Sequence, residues 1–254
     1  MPCPPGAIPA PLVDHITSLD RGPPISKGIR FYDVPDTELC KRAEAFVHAW
    51  LPQYIANHAL RTYAFALAVA NYAGWDSGEK ARELGFDKEV IFLACALHEL
   101  GFDLDQGVKS RLSLELWGAI KAREWIMQQQ DAFLEVSGRN IETLQEWADE
   151  ACEAIARHTI EFRDFTSRVR LTGALVTLGA GMDLMGTCVR FVHDQDTKAI
   201  CSRWPRAGYC EGLAKHAELE VGNKPACLFE DCVSAFNPGM FSIPCFEGMQ
   251  GELK

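Results

Sequence analysis

The sequence predicts an all-α protein, a helical bundle preceded by an irregular, proline-rich arm. Three observations carry this. From Asp36 onward apolar residues recur at helical spacing, in segments bounded by capping residues and glycines. No run alternates apolar and polar residues as a half-buried strand does. Residues 1 to about 35 hold most of the thirteen prolines and show no helical period. The chain divides accordingly into an arm (1–35), a helical body (36–230) and an irregular tail (231–254).

The first predicted helix covers about 37–50, capped by Asp36 or Thr37 and ended at Leu51-Pro52, because a residue before proline leaves the helical region. A second, about 54–73, places Tyr54, Ile55, Ala59, Tyr63, Ala66, Leu67 and Ala70 on one stripe and stops at Gly74. A third runs about 87–100, from an Asp87 cap to Gly101, and a fourth about 112–130. Asn140 caps a fifth at about 140–158. The sixth, about 167–187, is rich in Leu, Val, Gly and Ala, as befits a helix at the centre of a bundle. An irregular stretch (about 191–205) and a helix near 206–220 follow.

The formal net charge of -10 disfavours nucleic-acid backbones and anionic membranes as main partners. No apolar stretch reaches the ~20 residues of a membrane helix. A small-molecule substrate fits better, with a second copy of the chain as the expected protein partner. MPCPPGAIPAP has neither the basic nor the apolar region of a signal peptide, and the ten cysteines contain no CxxC pair. Both point to reduced structural thiols and a cytoplasmic protein.

His58, His98 and His158 fall inside or at the ends of apolar helices, and Asp183 lies in the most apolar of them. A single buried histidine is more often a hydrogen-bonded core residue than a ligand. Three of them, with the pair His98-Glu99 and with Asp183, shift that balance. Asp183 needs a cation, a donor cluster or a metal, because charges are rarely buried unpartnered. Imidazole suits Zn²⁺, Fe²⁺ or Mn²⁺. Adjacent side chains on a helix diverge by about 100°, and Gly101 is expected to supply the bend that turns His98 and Glu99 to one centre. A metal with open positions would acidify a bound water. Glu115 is the least expected charge on an apolar face. His15, His48, His193 and His216 read as arm or surface residues, and Arg61 and Lys121 as surface ion-pair partners. The tryptophans Trp117, Trp125, Trp147 and Trp204 read as packing residues.

The order His58, His98-Glu99, His158, Asp183 resembles the HD-domain superfamily, and the flanking text resembles its fungal cyanamide hydratase branch. Asn57-His58-Ala59 with Arg61 is similar to the family's NHSxR, and Leu97 to Gly101 (LHELG) to LLHDIG. LSLELWGAIKA from Leu112 is similar to SFEFYGGIKA, Arg157-His158 to RHQD, and VTLGAGMDLMG loosely to ATLFDNxG. Trp204, Pro205, Arg206, Gly208, Tyr209 and the later Lys224-Pro225 echo FPRxGW and KP. The likeness covers about 40–230. It implies an HD-domain helical bundle with zinc (Fe or Mn as alternatives, or none) held by His58, His98, Glu99 and Asp183. Glu99 and His158 would be catalytic, and Trp117, Glu115 and Thr159 would contact substrate.

Three positions differ from the family pattern. Glu99 stands for Asp, Thr159-Ile160 for the Gln-Asp of RHQD, and Leu184 for Asn. These changes point to a metal-dependent lyase or hydratase with a larger, less polar substrate, such as a secondary metabolite. The alternatives are a metal-free acid/base catalyst (isomerase or cyclase) or ligand-binding protein on the same fold, and a cyanamide hydratase forming urea. Nucleotide phosphohydrolysis is disfavoured by the acidic charge and the lack of a Lys/Arg cluster.

Overall fold

The structure, a computed structural model, describes residues 7–8, 12–19, 21–136, 138–159, 169–186 and 189–230. The tail read at 231–254 and the Ile160 of the predicted pocket wall lie outside these. Among the described residues the protein is all-α. Twelve α-helices are α1 (Leu12–Ser18), α2 (Glu38–Trp50), α3 (Gln53–Ala73), α4 (Gly78–Leu84), α5 (Lys88–Leu97), α6 (Gln106–Lys109), α7 (Leu114–Met127), α8 (Gln130–Leu134), α9 (Ile141–Arg157), α10 (Leu171–Met185), α11 (Asp194–Arg203) and α12 (Tyr209–Asn223). One two-residue antiparallel pair, β1 (Ala7–Ile8) with β2 (Val169–Arg170), is the sole sheet described. No helix of the described residues is long and apolar enough to cross a membrane.

Several caps follow the sequence. Thr37 rather than Asp36 caps α2, its Oγ1 accepting from the Cys40 N–H at 3.4 Å. Asp87 accepts from Glu89 (2.8 Å), Asn140 from Thr143 (2.9 Å), and Gly74 ends α3 in the left-handed region. The segment read as irregular at 191–205 contains α11. Its sequence, DQDTKAICSR, is too polar for an apolar period to show. The described part of the arm is less irregular than its proline content suggested: it carries α1 and a 3-10 turn, Ile29–Tyr32. Asp196 pins it to the body. The carboxylate accepts from Ser26 Oγ (2.6 Å), the Lys27 and Gly28 N–H groups (2.8 and 3.1 Å) and Tyr32 Oη (2.7 Å).

The core is built on α3, which packs along α10, with α5 beside both and α9 joining α7 to the group. Helix α3 is buried on every face from Ile55 to Ala70, not on one stripe. Helix α10 approaches it closely because Gly179 has no side chain; a Cβ there would lie 2.3 Å from the Thr62 carbonyl oxygen. Helix α5 is buried from Val90 to Leu97. Each of Ile91, Phe92, Leu93 and Leu97 contributes roughly 2 kcal/mol by leaving water. That outweighs the ~1–3 kcal/mol cost of carrying a polar imidazole inside at the helix end. The hydrophobic run therefore delivers His98 to the interior.

Candidate metal centre and cavity

His98 follows the last residue of α5, where helix carbonyls lack intrahelical partners. Its Nδ1 lies 2.6 Å from the Cys95 carbonyl oxygen. A carbonyl only accepts, so Nδ1 carries the hydrogen and Nε2 keeps its lone pair. His158 repeats the device after α9, with Nδ1 donating to the Ile155 carbonyl at 2.7 Å. His58, on the buried α3, donates from Nδ1 to Asp183 Oδ2 at 2.7 Å. Its Nε2 is the second lone pair of the site.

These lone pairs meet the Glu99 carboxylate. Glu99 Oε1 is 3.1 Å from His98 Nε2 and 3.3 Å from His58 Nε2, and all three side chains are buried. Among the described residues His98 Nε2 and Glu99 Oε2 have no hydrogen-bond partner. Two imidazole lone pairs and an anion converging away from water repel one another unless a cation lies between them. Without a metal a histidine proton is the cation that serves, and the electrostatics have that sign. Burial alone would raise the Glu99 carboxyl, but the neighbouring His98 and His58 hold it well below its ordinary range. Burial alone would lower His58, yet its contacts with Asp183 and Glu99 raise it. The donor atoms of His58, His98 and Glu99 all lie within 4.8 Å of one another. Two imidazoles and one carboxylate are a set that zinc, iron(II) or manganese(II) accepts.

The bend at Gly101 has a different origin from the one expected. Gly101 lacks the positive φ of a left-handed cap. It is required because a Cβ there would stand 2.1 Å from the Leu114 carbonyl oxygen, and Gly118 meets the same turn from α7. Close packing of α7 against residues 98–101 fixes how His98 and Glu99 point.

Asp183, expected among the ligands, stands behind His58 and outside the donor cluster. Arg61 grips it with two bonds, Nε to Oδ1 and Nη2 to Oδ2, both 2.7 Å. Arg206 Nη1 adds contacts to the Asp183 carboxylate and carbonyl. Burial by itself would raise the Asp183 carboxyl, but the two guanidiniums force it far below the ordinary range. Arg61 is thus no surface residue: it is 0% exposed, and its Nη1 also donates to the Trp204 and Pro205 carbonyls at 2.9 and 3.0 Å. Tyr209 stacks on His58 with centroids 4.7 Å apart. Arg206 and Tyr209 entered the sequence reading only as part of a motif echo. That echo, WPRAGY, was the one available signal for them.

A cavity of about 30 Å³ opens beside the cluster, lined by His58, Glu99, His158, Thr159, Tyr209 and the apolar Leu114, Ala180, Leu184, Leu213 and Phe229. It has room for roughly two or three water-sized groups. Its walls are largely apolar, Leu184 among them. Thr159 Oγ1 donates to Glu115 Oε1 at 2.8 Å, and burial raises the Glu115 carboxyl. Trp117 is half-buried and does not line the cavity, while Lys121 pairs with Glu124 at the surface as expected. His216 corrects another surface reading. It is 2% exposed, its ring packs on Phe102 with centroids 3.9 Å apart, and burial lowers it to about 4. The neighbouring Lys215 and Glu218 had disguised an inward-facing position.

Fold and site together define an all-α protein with a buried two-histidine, one-carboxylate centre beside a small cavity. No family model matches the chain. It is similar to two Saccharomyces cerevisiae proteins named cyanamide hydratase DDI2 and cyanamide hydratase DDI3. Each is 24% identical over 195 residues, 75% of this chain and 76% of the relative.

Proposed function

We propose that this chain is a metal-dependent hydratase or lyase of the HD-domain type, acting on a small uncharged substrate of which cyanamide is the first to assay. The observation that carries the reading is the convergence of the His58 and His98 lone pairs on Glu99 at the edge of a cavity with room for only a few atoms. The likeness to the two yeast hydratases supports it. His58, His98 and Glu99 would hold the metal, with zinc first and iron or manganese as alternatives. Such an ion supplies an acidified water at near-neutral pH. His158, its Nδ1–H committed to Ile155, brings Nε2 to the cavity as an acceptor. Burial, with His98 beside it, lowers His158 to about 4, so the ring stays neutral and serves as a hydrogen-bond acceptor. Thr159, fixed by Glu115, offers its hydroxyl oxygen to a substrate N–H. The apolar walls keep bulk water from competing.

The test is elemental analysis of the purified chain, followed by urea formation from cyanamide. About one metal per chain is expected, lost in His98→Ala together with turnover. A metal-free protein that keeps its full activity would sink this reading. The second reading, proton transfer without metal by Glu99 and His158, would then take its place, since both line the cavity.

A further inference from the structure

We propose that Asp183 orients His58 and does not itself bind the metal, so that the centre is held by three protein ligands, His58, His98 and Glu99. The inference rests on the metal centre proposed above and deepens it. A carboxylate offers about four lone-pair directions, and those of Asp183 meet four donors. Oδ1 takes Arg61 Nε and Arg206 Nη1, and Oδ2 takes Arg61 Nη2 and His58 Nδ1. Turning either oxygen to a metal would strip a partner from a buried guanidinium or from His58 itself, which is unfavourable. Arg61 cannot follow, because the Trp204 and Pro205 carbonyls hold its other nitrogen.

The role left to Asp183 is tautomer control. By accepting from Nδ1 it keeps the His58 lone pair on Nε2, the atom that faces Glu99. Arg61 and Arg206 are positioning residues that act through Asp183. The arrangement departs from the four-ligand expectation drawn from the family resemblance.

Zinc affinity of the full-length chain and its variants tests this. Glu99→Gln and His98→Ala should take up no stoichiometric zinc. Asp183→Asn, which keeps an acceptor for His58 Nδ1, should bind one zinc about 10–100-fold more weakly, the usual effect of losing a partner behind a ligand. A folded Asp183→Asn protein that takes up no zinc overturns the assignment. Should that variant fail to fold, a crystal structure of the zinc-loaded natural chain decides. Asp183 still clasped by Arg61 supports the inference, and an Asp183 oxygen within about 2.2 Å of zinc overturns it. A chain that binds no divalent metal under any condition overturns both this assignment and the function proposed above.

Discussion

Replacing Arg61 by methionine exchanges a buried guanidinium for an apolar chain of similar length. The change removes both bonds to Asp183 and the donors to the Trp204 and Pro205 carbonyls. Breaking a buried ion pair from one side costs roughly 3–5 kcal/mol. The two carbonyls add about 1–3 kcal/mol each if they stay dry. Arg206 and His58 remain on the carboxylate and soften the loss, so a net cost of about 4 kcal/mol is a fair figure. At about 2–4 °C per kcal/mol for a chain of this size, Tm should fall by roughly 8–16 °C. The assay is thermal unfolding followed by circular dichroism at neutral pH, with a chelator present so that metal loss is not what is read. Arg61→Lys should recover only part of the loss, because an ammonium cannot form the two-pronged contact. A surface arginine would cost within ~0.5 kcal/mol. If Arg61→Met melts within about 2 °C of the natural protein, the buried clamp and the reasoning built on it are refuted.

Two further outcomes are expected. His216 is neutral when folded, at about 4 against 6.5 for a free imidazole. Above pH 6.5 neither state is protonated and nothing is lost; as pH falls towards 4, the unfolded chain takes up a proton that the folded one refuses. Stability should drop by about 2 kcal/mol by pH 5 on this account, and His216→Phe should remove that part of the acid sensitivity in urea titrations at several pH values. An equal pH dependence in the variant would show that His216 contributes none of it. Gly101→Ala drives a methyl into the Leu114 carbonyl and should cost about 1–3 kcal/mol. It should also weaken metal uptake, because the turn carrying His98 and Glu99 must move; unchanged zinc binding in a folded variant would count against that coupling.

Much of the architecture is legible in the sequence because apolar periodicity and capping act locally. Thr37, Asp87 and Asn140 mark helix starts, and Gly74 marks an end. The departures share a different cause. Arg61 and His216 carry side chains that normally face water, and only tertiary packing turns them inward. A hint for Arg61 was present: a helix apolar on every face leaves no surface for a charge. Helix α11 was hidden because few of its positions are buried, Asp196, Thr197, Ile200 and Cys201 among them, and two of these four are polar. The partners of Asp183, His58, Arg61 and Arg206, lie 125, 122 and 23 positions away in the chain. No local pattern reveals such pairs, although the rule that a buried carboxylate must be matched predicted that partners exist.

The strap that Asp196 gathers is bound as an intramolecular ligand is bound. Its tether keeps the local concentration high, and one carboxylate gathers four of its donors while Tyr32 and Ile16 sit in the core. Release of the strap is therefore an equilibrium separate from unfolding of the bundle, and a substitution at Asp196 should expose residues 26–32 to proteases before the helices give way. The same feature sets where a shortened version of the chain can begin. A start near residue 20 keeps all four donors, whereas a start after Tyr32 abandons a carboxylate that is 2% exposed.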